Sequence, residues 1–355
     1  MTLLSSLSRL THRRSKKLAP DVRLATSTRR LLDLIDPSLL ATQSYLRKLH
    51  EPVSYALAYC DQLVDSLPEP ITINQQAFAS DPLVHALFSS AGDIVQMLGE
   101  SQALREYLAT PGNRLLQDDN ELFALLATRR QTKRVFGAVD DGRNIVSDVA
   151  QEILYFTAHT LAEPDATQEG YRSRLQTAAF ESLAKNFRAH IDGVRLQRKE
   201  LQGERHLAQA HLTVLRGTLG SPQIEVHTRR IKEVDASLQE AFDSLMPDKI
   251  ITALASYLRQ PEQSLRLEPV SVAVDRAGVT YPNVTYPNVT DPSVTDTSAA
   301  PEHPAPSARF SRLDLSELIS RDQRRNVVLP IRLRREDAEI AVSMVDDRKR
   351  RFLII

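Results

Sequence analysis

The chain has one cysteine, no tryptophan and no surplus of either charge, and each shortage removes a class of protein. Cys60 alone can form neither an internal disulfide nor a cysteine-based zinc cage. It closes the run Val53-Ser-Tyr-Ala-Leu-Ala-Tyr-Cys60, which reads as one buried helix face, so it is expected as a small core residue. Lys+Arg and Asp+Glu both number 45, so any pull toward nucleic acid or membrane must come from local patches. Aromatic residues make up only 5% of the chain, which suits a helix-rich protein with thin cores. No run approaches the ~18–20 apolar residues that a membrane span requires.

Motifs that carry chemistry are missing as well. The eleven glycines are scattered, and neither G-x-x-x-x-G-K-[ST] nor G-x-G-x-x-G occurs to cradle phosphate. The nine histidines are dispersed; His206 and His211 lie five apart, which turns them about 140° from one another on a helix and away from a shared ion. No G-x-S-x-G presents a nucleophile. The doublets Asp118-Asp119, Asp140-Asp141 and Asp346-Asp347 read as turns and helix starts. Pro164-Asp165 lacks the acid-x-Lys that a metal-dependent nuclease would place on a following strand. No metal, cofactor or catalytic residue is expected, and no constellation supports an enzyme.

What is present is organisation. Leu3, Leu4, Leu7 and Leu10 recur at helical spacing, with Arg9, Arg13, Arg14, Lys16 and Lys17 among and after them. The order is wrong for a secretory signal, which places its charges first, so a cytoplasmic protein is expected. Residues 1–20 are then a basic amphipathic tail resting on the protein's own body, with a membrane surface as the other reading of residues 3–18. Residues 21–130 read as a helical domain. Asp36-Pro37 and Asp81-Pro82 each set a capping acid before a proline at the first helical position, and Glu51-Pro52 does much the same. The last of its helices is placed at 120–130, carrying Leu122, Phe123, Leu125 and Leu126. Residues 131–165 read as a small antiparallel sheet: a hairpin of 134–139 and 144–149 around Asp140-Asp-Gly-Arg143, then a third strand at 152–161.

The clearest signal lies at 170–260. Phe180, Phe187, Val194, Leu201, Ala208 and Leu215 recur at sevens, with Ala184, Ile191, Leu212 and Leu219 offset by four. Arg198 and Arg205 interrupt that second seam. After Gly220-Ser-Pro222 the pattern resumes with Ile224, Ile231, Leu238 and Leu245. Two heptad helices across a tight turn predict a long antiparallel coiled-coil hairpin, with arms of roughly 70 and 36 Å. Because the first arm is longer, Phe180, Phe187, Ile191 and Val194 form the expected partner-binding seam, covered either by a helix near 249–258 or by a second subunit.

Residues 261–275 read as a strand. The repeat Tyr281-Pro-Asn-Val-Thr, Tyr286-Pro-Asn-Val-Thr and Asp291-Pro-Ser-Val-Thr leads into a Pro- and Ala-rich stretch, so 276–309 is expected as a disordered linker. The Arg-rich segment 310–355 is expected to hold a helix at 313–319 and a strand at 326–333. Its end, Phe352-Leu353-Ile354-Ile355, is expected either as an edge strand or as a docking peptide.

The fold class is thus α+β and predominantly α-helical. The expected function is a non-enzymatic adaptor or assembly component that binds protein partners or a second copy of itself. The alternative is a nucleic-acid-binding accessory protein with a winged-helix-like region at 83–149. Its candidate residues are Arg129, Arg130, Lys133, Arg134 and Arg143, with Arg324 and Arg325 beyond it.

Overall fold

A computed structural model of the chain describes residues 20–42, 45–110, 120–140, 145–216, 223–275, 278–280 and 311–352. Along it run α1 (Pro20–Ile35), a 3-10 turn (Pro37–Ala41), α2 (Tyr45–Asp65), β1 (Ile71–Thr72), α3 (Gln75–Ser80), α4 (Pro82–Leu87), α5 (Ala91–Glu100), α6 (Gln102–Ala109), β2 (Glu121–Asp140) and β3 (Ile145–Asp165). Then come α7 (Gln168–Arg216), α8 (Gln223–Ser244), α9 (Pro247–Leu258), β4 (Leu265–Val274), β5 (Ser311–Ser320), β6 (Arg325–Arg334) and α10 (Arg335–Phe352). Ten helices and a six-stranded sheet among the described residues make the protein α+β and helix-rich. It divides into two compact units, one of Met1–Gln62 with Gln176–Leu265 and one of Leu63–Leu175 with Arg266–Ile355.

The first unit is helical. Asp36 starts its 3-10 turn by accepting from the Ser38 N–H at 3.0 Å, ahead of Pro37 at the first helical position. Pro52 does not start a helix as its sequence context suggests; it sits inside α2. A proline there removes one backbone hydrogen bond, while Leu49, Val53, Ala56 and Cys60 bury the face that holds the helix in place. α1 is tied to α2 by a two-pronged Arg23–Asp61 pair at 2.7 and 2.8 Å, and to α7 by Arg30–Glu181 at 3.0 Å. Along α7 and α8, Arg205 pairs with Asp235 at 2.7 Å, Glu204 with Arg230 at 2.8 Å, and His211 lies by His227. Ala208 and Leu212 of α7 and Val234 and Ala241 of α8 are buried.

The second unit is built on a sheet of order β3-β2-β6-β5-β4, antiparallel apart from β1, which pairs with β6 in parallel at Ile71 and Ile331. Short helices and α10 pack on it through Val84, Leu87, Ile94, Leu98, Leu104, Leu122, Leu126, Leu329 and Ala341. α5 and α10 approach so closely that a Cβ on Gly99 would lie 2.4 Å from the Ala341 carbonyl oxygen.

Here several expectations are corrected. Residues 121–130 are strand, not helix: they belong to β2 and pair with β6 from Glu121 to Thr128. Leu122, Ala124 and Leu126 face the main core, while Phe123 and Leu125 pack on Val64, Tyr171 and Leu175 from the other side. A strand covered on both faces reads as a continuous apolar run and hides its period of two. Residues 313–319 are strand as well, part of β5; Leu313 and Leu315 are buried while Asp314 between them is exposed. The hairpin is longer than expected, and its third strand is simply the continuation of β3. The expected linker does not begin at 276, because Gly278–Thr280 bridges β3 through Leu154 N–H to Gly278 O at 2.8 Å and Thr280 N–H to Glu152 O at 2.7 Å. The rest of that stretch, 276–277 and 281–309, lies outside the described residues, as do 1–19. The chain end is not an edge strand at Phe352, which closes α10, and Leu353, Ile354 and Ile355 lie outside the described residues.

Candidate functional site

The seam expected to await a partner is occupied by the chain itself. Phe180, Phe187 and Ile191 are 4, 1 and 4% exposed. The Phe187 ring lies 5.3 Å from that of Tyr257 on α9, whose hydroxyl donates to the Leu183 carbonyl at 3.2 Å. Val194 is half-buried in a groove of about 920 Å³ between α7, α8 and α9, which His190, Ala236 and Thr252 also line. α9 thus covers α7 at Phe187, and the buried Phe180, Phe187 and Ile191 are not a free interface, while Val194 lines the groove.

The open face of α7 is the opposite one. Leu196, Leu207 and Val214 are 58, 64 and 72% exposed. At 100° per residue these three fall within about 20° of one line along the helix. Ala189, Gly193, Gly203 and Ala210 share their heptad spacing, and a Cβ on either glycine would meet nothing within 4 Å. Each glycine inside a helix costs about 1 kcal/mol relative to alanine. The sequence carries this stripe at alternating steps of three and four, but the larger residues of the inner seam mask it.

The basic candidates are not one free patch. Arg130 donates to Glu317 at 2.6 Å, Arg134 pairs with Glu152 at 3.2 Å, and Arg324 pairs with Asp322 at 2.6 Å. Arg325 reaches both Glu317 and Glu268. Arg129 and Lys133 are exposed on β2, and Arg143 lies outside the described residues. The helical end of the expected winged-helix outline is strand, since residues 121–130 belong to β2.

A separate basic cleft lies within the helical unit. It has a volume of about 630 Å³, and its lining includes Asp36, Ser38, Arg195, Arg198, Lys199 and Pro247. Asp36 accepts from the Ser38 N–H and hydroxyl and from Arg195. The Ser38 hydroxyl above all holds its carboxyl below the usual range; burial opposes it, and the Ser38 N–H and Arg195 add smaller contributions in the same direction as the hydroxyl.

Cys60 is fully buried, and burial pushes its thiol up to about 12, so the thiolate that attacks substrates is absent near neutral pH. Among the described residues no three His, Cys, Asp or Glu side chains gather as a metal site, and no helix is long and apolar enough to cross a membrane. No known family, curated protein or solved structure matches the chain.

Proposed function

We propose that the protein is a non-enzymatic assembly component in which α7 and α8 work as a coiled-coil hairpin and the outward face of α7 joins two copies of the chain. The observation that carries this reading is the open stripe of Leu196, Leu207 and Val214 with Gly193 and Gly203 beside it. Heptad-spaced apolar residues suit a helix as occupant, and glycines let its backbone come close.

A second copy fits because the stripe complements itself. Run antiparallel about a twofold axis between positions 201 and 202, it sets Leu196 against Leu207 of the second copy. The same register sets Ala189 against Val214, Gly193 against Ala210, and Glu200 against Gly203. Glycine opposite Glu200 leaves the carboxylate room to reach water. Within this reading, the Pro-rich residues 281–309 tether β5, β6 and α10, and Phe352–Ile355 serve as a docking segment for a further protein.

Disulfide trapping tests the register. On a Cys60→Ser background, a chain carrying both Leu196→Cys and Leu207→Cys should oxidise to a covalent dimer. Either cysteine alone should not, because each faces the other position across the axis. Equal cross-linking by the single variants, or none by the double variant, would overturn the proposal.

A further inference from the structure

We propose that the cleft between the 3-10 turn, α7 and the start of α9 binds a small phosphorylated molecule carrying at least two negative charges. Arg195, Arg198 and Lys199 line it from one stretch of α7 and face a single carboxylate, Asp36. That carboxylate is fully engaged by Ser38 and Arg195. Arg195 is further committed to Asp192 at 3.1 Å. Arg198 and Lys199 form no ion pair among the described residues, so the cleft holds two uncompensated positive charges beside one neutralised pair.

The rest of the lining agrees with such a ligand. α9 begins at Met246 without a side-chain cap, and Pro247 at its first position lines the cleft. Asp248 in the first turn answers the positive end of that helix, so the positive field of the cleft comes from Arg198 and Lys199. Leu39, Leu245 and Ile250 supply an apolar wall for the body of the molecule, and Gln202 supplies an amide. A volume of about 630 Å³ exceeds what one phosphate needs and suits a nucleotide-sized molecule. Arg198 offers a planar fork that matches two phosphate oxygens, and Lys199 a point charge for a third.

The test is titration of the full chain with inorganic pyrophosphate and with ADP, followed by calorimetry, and compared with Arg198→Gln/Lys199→Gln. Saturable binding of both anions is expected, with adenosine inert and affinity falling as salt rises. The double variant should bind at least tenfold more weakly at an unchanged melting temperature, and light scattering on it should show the same mass as the parent. No binding of either anion up to about 1 mM overturns the proposal, as does undiminished binding by the variant. A short single-stranded oligonucleotide that binds more tightly than ADP, and loses as much in the variant, would overturn the small-molecule assignment in favour of nucleic acid.

Discussion

At the scale of single residues, the most consequential side chain in the sheet is Glu317. It is 2% exposed, and its carboxylate is met by Arg130 from β2 and Arg325 from β6. Breaking a buried pair outright costs about 3–5 kcal/mol, and removing Arg130 costs part of that because Arg325 still meets the carboxylate. Arg130→Ala should therefore lower the urea midpoint sharply, and adding Glu317→Leu should restore much of the loss. Equal damage from the double variant would show that Arg130 matters through packing instead.

His159 gives the second residue-scale prediction. Its ring stacks on Phe88 at 4.8 Å and its Nε2 faces the Leu87 carbonyl at 2.8 Å. Burial pushes its pKa below the usual imidazole value, outweighing the hydrogen bond to Leu87 and the nearby Asp93, so the folded state favours the neutral ring. The unfolded chain takes up a proton as pH falls through about 6.5, where the folded one resists it. The stability this provides is therefore complete above that pH and lost below it. His159→Phe should show a smaller drop in urea midpoint between about pH 7.5 and pH 5.5 than the parent chain. An equal drop would exclude His159 from the acid response.

At the scale of elements, the ribbon of β2 and β3 is instructive. Its register shifts between Phe123 and Leu125, between Ala127 and Arg129, and between Gly137 and Val139. On β3, the non-glycine residues Glu163, Ala158 and Asp148 have φ of 51, 56 and 61°, one opposite each shift. Each shift is a bulge that bends the ribbon, and the bulge at Ala158 adjoins His159, which it helps to aim at Phe88. An alanine in the left-handed region costs about 1–2 kcal/mol, which glycine largely avoids. Ala158→Gly should accordingly raise the thermal midpoint, whereas most glycine substitutions in a strand lower it. A lowered midpoint would show that the bulge is not strained.

The same elements show what was legible in the sequence. Capping acids before prolines located the 3-10 turn at Pro37 and α4 at Pro82, because a cap is a local event. The Asp-Gly turn indicated the hairpin for the same reason. β2 was misread at 121–130 because apolar residues on both faces erase the alternation that marks a strand, and only its two flanking cores reveal it. β5 was misread because Leu315, Leu318 and Ile319 fit helical spacing, and pairing with β6 overrides that preference. α10 gave little signal, its first turn being charged and two of its four buried positions, among the described side chains, being alanine.

At the scale of the whole molecule, the heptad repeat was visible but its consequence was not. Periodicity marks which face of α7 is apolar, yet it cannot say that α9 returns to cover Phe187 and Ile191. Once that seam is filled, the open face lies on the other side of the helix, and the basic cleft lies at the 3-10 turn, far from the Arg doublets of the sheet in sequence. Both result from tertiary placement, to which local motifs are blind. Gly193→Ala with Gly203→Ala should strengthen α7 as a helix by about 2 kcal/mol in all and yet weaken pairing of two chains. A stabilised chain that pairs as before would remove the glycines from the interface.

If two chains meet through the outward face of α7, light scattering across a concentration series will register the pairing as mass. The parent chain should show twice its monomer mass, and Leu196→Glu with Leu207→Glu should show the monomer mass with an unchanged helical signal. A parent chain that is monomeric at every concentration, or a variant that keeps the doubled mass, would contradict it.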